Sequence, residues 1–318
     1  MGAEAVKPPQ WWLVTASAPP VPPSTLVREV SARLELQLSS ATDLSLLMAA
    51  AKLPGSTVED QLVVTHDDGP LPAASRPVEV PVGPAERGER MHVLRGVPAG
   101  RVVVEYSGRL TPGTSGTTTA SAVDTDEAAA LAERFELCRP SRYCPSDELT
   151  AFAASEFGTR ADRGDAELAE AITAWVTDRL VYTSGSSTPF DGAIQTMLRG
   201  QGVCRDYAHL VVTLARALEL PARLAAVYAP GLSPMDFHAV AEIRVEDGDG
   251  SDGRWQVHDA TGLAPRSSLW RISTGRDAAD TAFLTSLSGG VTLQQMEVLA
   301  VVTGGELPHD PAGPVLLA

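Results

Sequence analysis

The stretch that decides the fold reads Gly202-Val203-Cys204-Arg205-Asp206-Tyr207-Ala208-His209-Leu210-Val211-Val212-Thr213-Leu214-Ala215-Arg216-Ala217-Leu218. After the cysteine, Ala208, Val211, Ala215 and Leu218 return every three or four positions. That is the repeat of a helix with one buried face. It places Cys204 in the first helical turn, where unpaired backbone N–H groups and aligned peptide dipoles carry partial positive charge. A thiolate is favoured there, so this cysteine is expected to be a nucleophile at neutral pH. The plain alternative is a core cysteine, since free cysteine is among the most buried residue types.

A nucleophilic thiol needs a base, and the base needs an acceptor that orients it. Downstream, Met235-Asp236-Phe237-His238-Ala239-Val240-Ala241-Glu242-Ile243-Arg244-Val245 alternates as a strand. Glu246 to Gly253 is a run of acids and glycines that reads as a turn. Arg254-Trp255-Gln256-Val257-His258-Asp259 is the return strand. In such a hairpin, opposed residues project to the same face. A tip centred between Gly248 and Asp249 sets His238 opposite Asp259. Any loop with an even residue count keeps the two on one face, and an odd count separates them unless a bulge intervenes.

These residues resemble the transglutaminase-like superfamily. The resemblance is carried by Gly-Val-Cys-Arg-Asp-Tyr-Ala-His, by the Phe237-His238-Ala239 strand start, and by the Trp255 to Asp259-Ala260-Thr261 return strand. Tyr143-Cys144-Pro145-Ser146-Asp147 and Thr274-Gly275-Arg276-Asp277-Ala278-Ala279-Asp280 further resemble bacterial members described as cysteine proteases. Many relatives have Asp-Pro-Thr where this chain has Asp259-Ala260-Thr261, and the carboxylate is retained. The resemblance covers roughly 140–302, the size of one domain. It implies an α+β, papain-like core of helices packed on an antiparallel sheet. It also implies Cys204 as nucleophile, His238 as general base and acid, and Asp259 as orienting carboxylate. The reaction implied is acyl transfer at an amide through a thioester, with no cofactor and no metal. The Cys204 backbone N–H is the first oxyanion donor, and Tyr182, Gln195 and Gln201 are candidates for the second.

Composition frames this reading. The chain has 318 residues with 25 Lys plus Arg against 40 Asp plus Glu, a formal net charge of −15. That balance argues against a nucleic-acid ligand, which needs basic surface, and against an anionic membrane surface. Three cysteines, Cys138, Cys144 and Cys204, cannot build a disulfide framework in a chain this long, which suggests a reducing, cytoplasmic setting. No apolar run is long enough to span a bilayer, and the N-terminus lacks the pattern of an export signal.

The expected organisation is a flexible arm over 1–27 containing Trp11-Trp12, a β-sandwich-like domain over 28–112, and a linker and helix over 113–139. The catalytic domain follows over 140–302, with a poorly structured tail over 303–318 unless it docks. Helices are expected over Ala128–Leu137, after an N-cap at Ser146, from Asp165, and from Asp191 to Leu198 with Gly200 as the stop.

Several polar residues read as structural. His209 lies about 140° around the helix from Cys204 and points away from it. His258 faces the opposite side of its strand from Asp259. His66 and His92 are isolated, Arg205 and Asp206 shape the helix start, and Asp236 is a turn residue. The acidic tip Asp247 to Asp252 lacks the ligand pattern of a calcium loop. Three functional classes remain: a thiol hydrolase of peptide, protein or small-amide substrates, a transglutaminase or amine acyltransferase, and a non-catalytic binding module. A cysteine protease or amidase is the first choice. The sequence is silent on oligomeric state.

Overall fold

The computed structural model describes residues 26–67, 69–113, 127–246, 253–287, 290–303, 305–310 and 313–317. The expected N-terminal arm with Trp11-Trp12, most of the Thr/Ser/Gly linker and the acidic tip at 247–252 lie outside the described residues. Seven strands come first: β1 (Val27–Leu38), β2 (Thr42–Leu46), β3 (Thr57–His66), β4 (Gly69–Pro70), β5 (Val78–Pro81), β6 (Arg90–Val97) and β7 (Gly100–Thr111). Next are α1 (Glu127–Cys138), α2 (Thr150–Phe157), α3 (Asp165–Arg179), β8 (Val181–Tyr182), α4 (Ala193–Arg199), β9 (Gln201–Gly202) and α5 (Cys204–Ala217). The chain continues with β10 (Ala222–Tyr228), β11 (His238–Val245), β12 (Arg254–His258), β13 (Trp270–Gly275), β14 (Leu284–Ser286) and β15 (Val291–Thr303).

The β-rich part is two antiparallel sheets, ordered β15-β1-β7-β3-β4 and β14-β2-β6-β5. Period-two patterning places its core. Val30, Ala32, Leu34, Leu36 and Leu38 all turn inward from β1, meeting Leu44 and Leu46 of β2, Leu94 of β6, and Val102, Val104 and Tyr106 of β7. A one-residue slip of β1 would turn that whole set to solvent, so the inward face fixes the register.

The sandwich does not end at residue 112. β14 pairs with β2, Leu284 opposite Leu46, and β15 pairs along the length of β1, Val30 opposite Ala300 and Leu34 opposite Met296. The expected limit of the catalytic domain at 302 therefore falls inside the front sheet. The physical reason is the edge of β1, whose row of backbone groups needs a partner that the first seven strands leave unsupplied on that side. The tail also docks: the Val257 N–H donates to the Val315 carbonyl at 2.8 Å, Val315 is buried, and Arg266 pairs with Asp310 at 2.9 Å.

The second unit is built onto the sandwich. The Tyr228 hydroxyl donates to the Met48 carbonyl at 2.8 Å and the Trp270 indole N–H to the Ala51 carbonyl at 3.0 Å. Both rings belong to the same buried cluster as β1 and β7. This unit is an antiparallel sheet, ordered β12-β11-β10-β13, with helices on one face. Ala241, Ile243 and Val245 of β11 pack with Leu210 and Leu214 of α5 and with Leu168, Ile172 and Val176 of α3. On the other face Ala225, Val227, Val240 and Val257 form a smaller cluster with Leu269 and Val315. The chain is thus α+β, helices packed on one face of an antiparallel sheet joined to a β-rich domain.

One local expectation shifts. Ser146 makes no side-chain cap; Ser146–Leu149 is a 3-10 turn and the α-helix begins at Thr150. Gly200, with φ of 67°, closes α4 as expected.

Candidate active site

Cys204 is the first residue of α5. The start of this helix is held by Asp206, whose carboxylate accepts the Val203 N–H at 2.9 Å through one oxygen. Its other oxygen accepts the Ser187 hydroxyl at 2.9 Å and the Arg205 guanidinium at 3.1 Å. Asp206 is thereby a fully bonded cap at 1% exposure, consistent with the structural reading. It comes so close to the preceding strand that a Cβ on Gly202 would stand 2.7 Å from the Asp206 Cβ, which explains the glycine. Cys204 is half-buried, whereas Cys144 is fully buried and its thiol is pushed up to about 12 by that burial. The Cys144 sulfur instead donates to the His209 carbonyl at 3.6 Å.

His238 opens β11, and Asp259 follows the last residue of β12. The hairpin pairs Ala241 with His258 and Val245 with Arg254, leaving residues 246–253 as an even-numbered loop. The register is displaced by two from a tip at Gly248–Asp249, so His238 and Asp259 are diagonal rather than directly opposed. Parity is preserved and the two side chains meet: His238 Nε2 lies 2.8 Å from Asp259 Oδ2, with both side chains almost wholly buried. The second carboxylate oxygen, Oδ1, accepts the Thr261 N–H at 2.9 Å and the Thr261 hydroxyl at 2.7 Å.

The remaining ring nitrogen, Nδ1, is buried and has no partner of full hydrogen-bond geometry. The Cys204 sulfur is close enough to act on the imidazole both as hydrogen-bond partner and as charge. Burial works against the imidazolium, but Asp259 and Cys204 outweigh it and hold His238 up at about 10. Burial likewise opposes ionisation of Asp259, and His238 with Thr261 overcomes it, keeping the carboxyl below its ordinary range. The structure therefore brings the three sequence-derived residues together, with Nε2 committed to the carboxylate and Nδ1 left on the thiol side.

Of the three candidates for a second oxyanion donor, only Tyr182 is brought to the cysteine. Its hydroxyl is pushed up to about 12, by burial first and then by the charge of Cys204, and it lies beside the Cys204 backbone N–H. A hydroxyl so raised stays protonated and can donate. Gln195 is committed elsewhere: its side-chain oxygen accepts the Gly192 N–H at 3.1 Å and caps α4. Gln201 stands exposed in the short strand β9.

Two further histidines, His209 and His258, hold the scaffold. His209 is fully buried, accepts the Ala278 N–H at 3.1 Å and stacks on Tyr143 with ring centroids 5.1 Å apart. Burial pulls it down to about 3, so it is neutral. Asp277 completes this lock by accepting the Tyr143 N–H at 2.9 Å and the Ala279 N–H at 2.9 Å. The two motifs around Tyr143 and Asp277 are thus one packing unit behind α5. His258, on the face opposite Asp259, bonds the Thr173 hydroxyl at 3.0 Å and is also pulled down to about 3 by burial. Sequence reasoning passed over Thr261 as a site residue. Its signal is a hydroxyl two positions after a carboxylate, the spacing of a local side-chain turn.

Among the described residues, no group of three or more His, Cys, Asp or Glu side chains is arranged to hold a metal, and no helix is long and apolar enough to cross a membrane.

Residues 153–260 match the model of the Transglutaminase-like superfamily. The crystal structure of a "putative cysteine protease" from Cytophaga hutchinsonii superposes with a TM-score of 0.73 at 27% identity, covering 93% of this chain and 95% of that one. The uncharacterized protein ML0607 of Mycobacterium leprae is 24% identical over 184 residues, which span 56% of this chain and 64% of that protein, just under two thirds of its length. The periplasmic domain of TgpA from Pseudomonas aeruginosa is 17% identical with a TM-score of 0.37, covering 76% of this chain and 91% of that domain.

Proposed function

We propose that the protein is a thiol hydrolase that cleaves amide bonds in peptides or proteins by a Cys204–His238–Asp259 triad. The observation that carries the proposal is the division of the His238 ring. Nε2 is bonded to Asp259 at 2.8 Å and Nδ1 is left toward a half-buried cysteine at the start of a helix. The likeness to the Cytophaga hutchinsonii protein supports hydrolysis over transfer.

In this mechanism the Cys204 thiolate attacks the amide carbon. The carbonyl oxygen becomes an oxyanion held by the Cys204 N–H and the Tyr182 hydroxyl. The His238 imidazolium gives its Nδ1 proton to the departing amine, and the C–N bond breaks to leave a thioester. His238, now neutral, takes a proton from water; the resulting hydroxide attacks the thioester and expels the thiolate. Asp259 keeps Nε2–H pointing at itself throughout and stabilises the imidazolium. Thr261 in turn fixes the carboxylate.

The test is peptide hydrolysis with mass-spectrometric capture of the acyl-enzyme. Wild type is expected to turn over and to trap an adduct on Cys204. Cys204→Ala is expected to lose both while keeping its fold, because a thiol is small. Full turnover by Cys204→Ala would overturn the proposal.

A further inference from the structure

We propose that Ser187 and Asp206 form a latch that holds the Tyr182 segment against the first turn of α5, so that both are positioning residues for the pair of oxyanion donors. The proposal rests on the triad and Tyr182 readings above and deepens them.

Tyr182 has little of its own to hold it. It lies in the two-residue strand β8 and pairs with Gly202 of β9, just before the nucleophile. Two backbone bonds make that pairing. The Val181 N–H donates to the Gly200 carbonyl at 2.9 Å, and the Thr183 N–H to the Gly202 carbonyl at 3.0 Å. An isolated pair of strands is marginal in water. The Tyr182 side chain is exposed, and its ring meets that of Tyr207 on α5 with centroids 6.0 Å apart. An oxyanion donor is effective only when it is fixed before charge develops, so this segment needs a second anchor.

The latch supplies it. Downstream of β8, the Ser187 hydroxyl donates to Asp206 Oδ1 at 2.9 Å. Arg205 Nη2 donates to the same oxygen at 3.1 Å, to the Ser187 hydroxyl at 2.6 Å and to the Thr188 carbonyl at 2.7 Å. The turn between is closed by the Ser186 hydroxyl, which donates to the Thr183 carbonyl at 2.7 Å. Asp206 Oδ2 accepts the Val203 N–H at 2.9 Å, and the Asp206 N–H donates to the Val203 carbonyl at 2.8 Å. That carbonyl shares a peptide plane with the Cys204 N–H, so Asp206 also orients the first oxyanion donor. Its side chain packs on Gly202, the residue paired with Tyr182, where an added Cβ would stand 2.7 Å from the Asp206 Cβ. Capping the helix needs only one carboxylate oxygen. The other is directed at the loop that follows Tyr182.

The test compares two reactions of Cys204 in the full chain. Iodoacetamide alkylates by displacement: the sulfur bonds the methylene carbon and iodide leaves with the bonding pair, so no oxyanion forms. With p-nitrophenyl acetate the sulfur attacks the ester carbon, the carbonyl oxygen becomes an oxyanion, and p-nitrophenolate leaves with the bonding pair to give a thioester. Both adducts are followed by peptide mass spectrometry. Ser187→Ala is expected to slow acylation roughly tenfold, with alkylation within about twofold of wild type. Ser187→Thr should restore acylation. Asp206→Asn, which turns an amide toward Arg205, should slow acylation at least as much as Ser187→Ala. In a Tyr182→Phe background, itself slow to acylate, Ser187→Ala should slow the reaction by less than about twofold more, because the latch works through Tyr182. An unchanged acylation-to-alkylation ratio in Ser187→Ala would overturn the latch, as would a loss that persists in full in Tyr182→Phe. Fast alkylation of wild type without acylation would overturn it as well. Failure of the triad reads differently, as slow alkylation of wild type that His238→Ala leaves unchanged.

Discussion

Thr261 pins the far oxygen of Asp259. Its N–H and hydroxyl both donate to Oδ1, at 2.9 and 2.7 Å, while Oδ2 faces His238 at 2.8 Å. A buried carboxylate with both oxygens bonded cannot rotate without losing partners, so the imidazole behind the thiol inherits a fixed orientation.

Thr261→Val keeps the branched shape and removes the hydroxyl. It is expected to lower kcat roughly fivefold, about the worth of one net hydrogen bond, with KM unchanged. Thr261→Ser should restore kcat. Steady-state kinetics on all three forms checks this, and a rise in KM instead would mark Thr261 as a substrate contact.

The His238–Asp259 pair gives a stability difference with a defined pH window. His238 stands at about 10 in the folded protein against the ordinary 6.5, so the folded state binds the proton more tightly. Its stabilisation is complete below pH 6.5 and is lost as pH rises through about 10. The melting-temperature gap between wild type and Asp259→Asn should therefore be wide at pH 6 and narrow above pH 10. Thermal melts across that range would expose a gap that widens instead.

His209 is a packing residue despite lying five positions after the cysteine. His209→Phe preserves a ring to stack on Tyr143 but leaves the Ala278 N–H without its acceptor. A loss of about 1–3 kcal/mol in denaturant-unfolding free energy is expected, with the alkylation rate of Cys204 within about twofold of wild type. Its pKa of about 3 also means that the unfolded chain takes up a proton below pH 6.5 that the folded chain refuses, so this site contributes acid sensitivity between those values.

Glu242, fully buried on β11, joins Arg223 at 2.6 Å and Arg271 at 2.5 Å. Burial opposes its charge, yet the two guanidinium groups hold its carboxyl at about 2. Glu242→Gln strands two cations in the sheet and is expected to destabilise by about 3–5 kcal/mol. Urea denaturation measures it directly, and a neutral outcome would show that water reaches the cluster.

The candidate site was legible because its parts are local signals. A cysteine before a helical repeat and a histidine opening an alternating strand need no long-range knowledge. The His238–Asp259 pairing was legible only as a parity, because face depends on whether the loop count is even and not on its length. The lost information was long-range. Nothing in Val291–Thr303 says that it pairs with β1 more than 250 positions earlier, so the boundary at 302 was misplaced. The same holds for β10, whose mostly apolar run Leu224-Ala225-Ala226-Val227-Tyr228 lacks the alternation that betrays a half-exposed strand. Tyr182 could be named but not chosen, since its approach to Cys204 depends on the β8–β9 pairing of Tyr182 with Gly202.

The most direct measurement is the second-order rate of iodoacetamide labelling at each cysteine near neutral pH, in wild type and in His238→Ala. Cys138 is the fair comparison, partly accessible but with its thiol raised by burial. The account predicts that Cys204 labels fastest and that His238→Ala slows it by about tenfold or more, through loss of the imidazolium partner. Cys204 labelling no faster than Cys138, at a rate indifferent to His238, would contradict the triad.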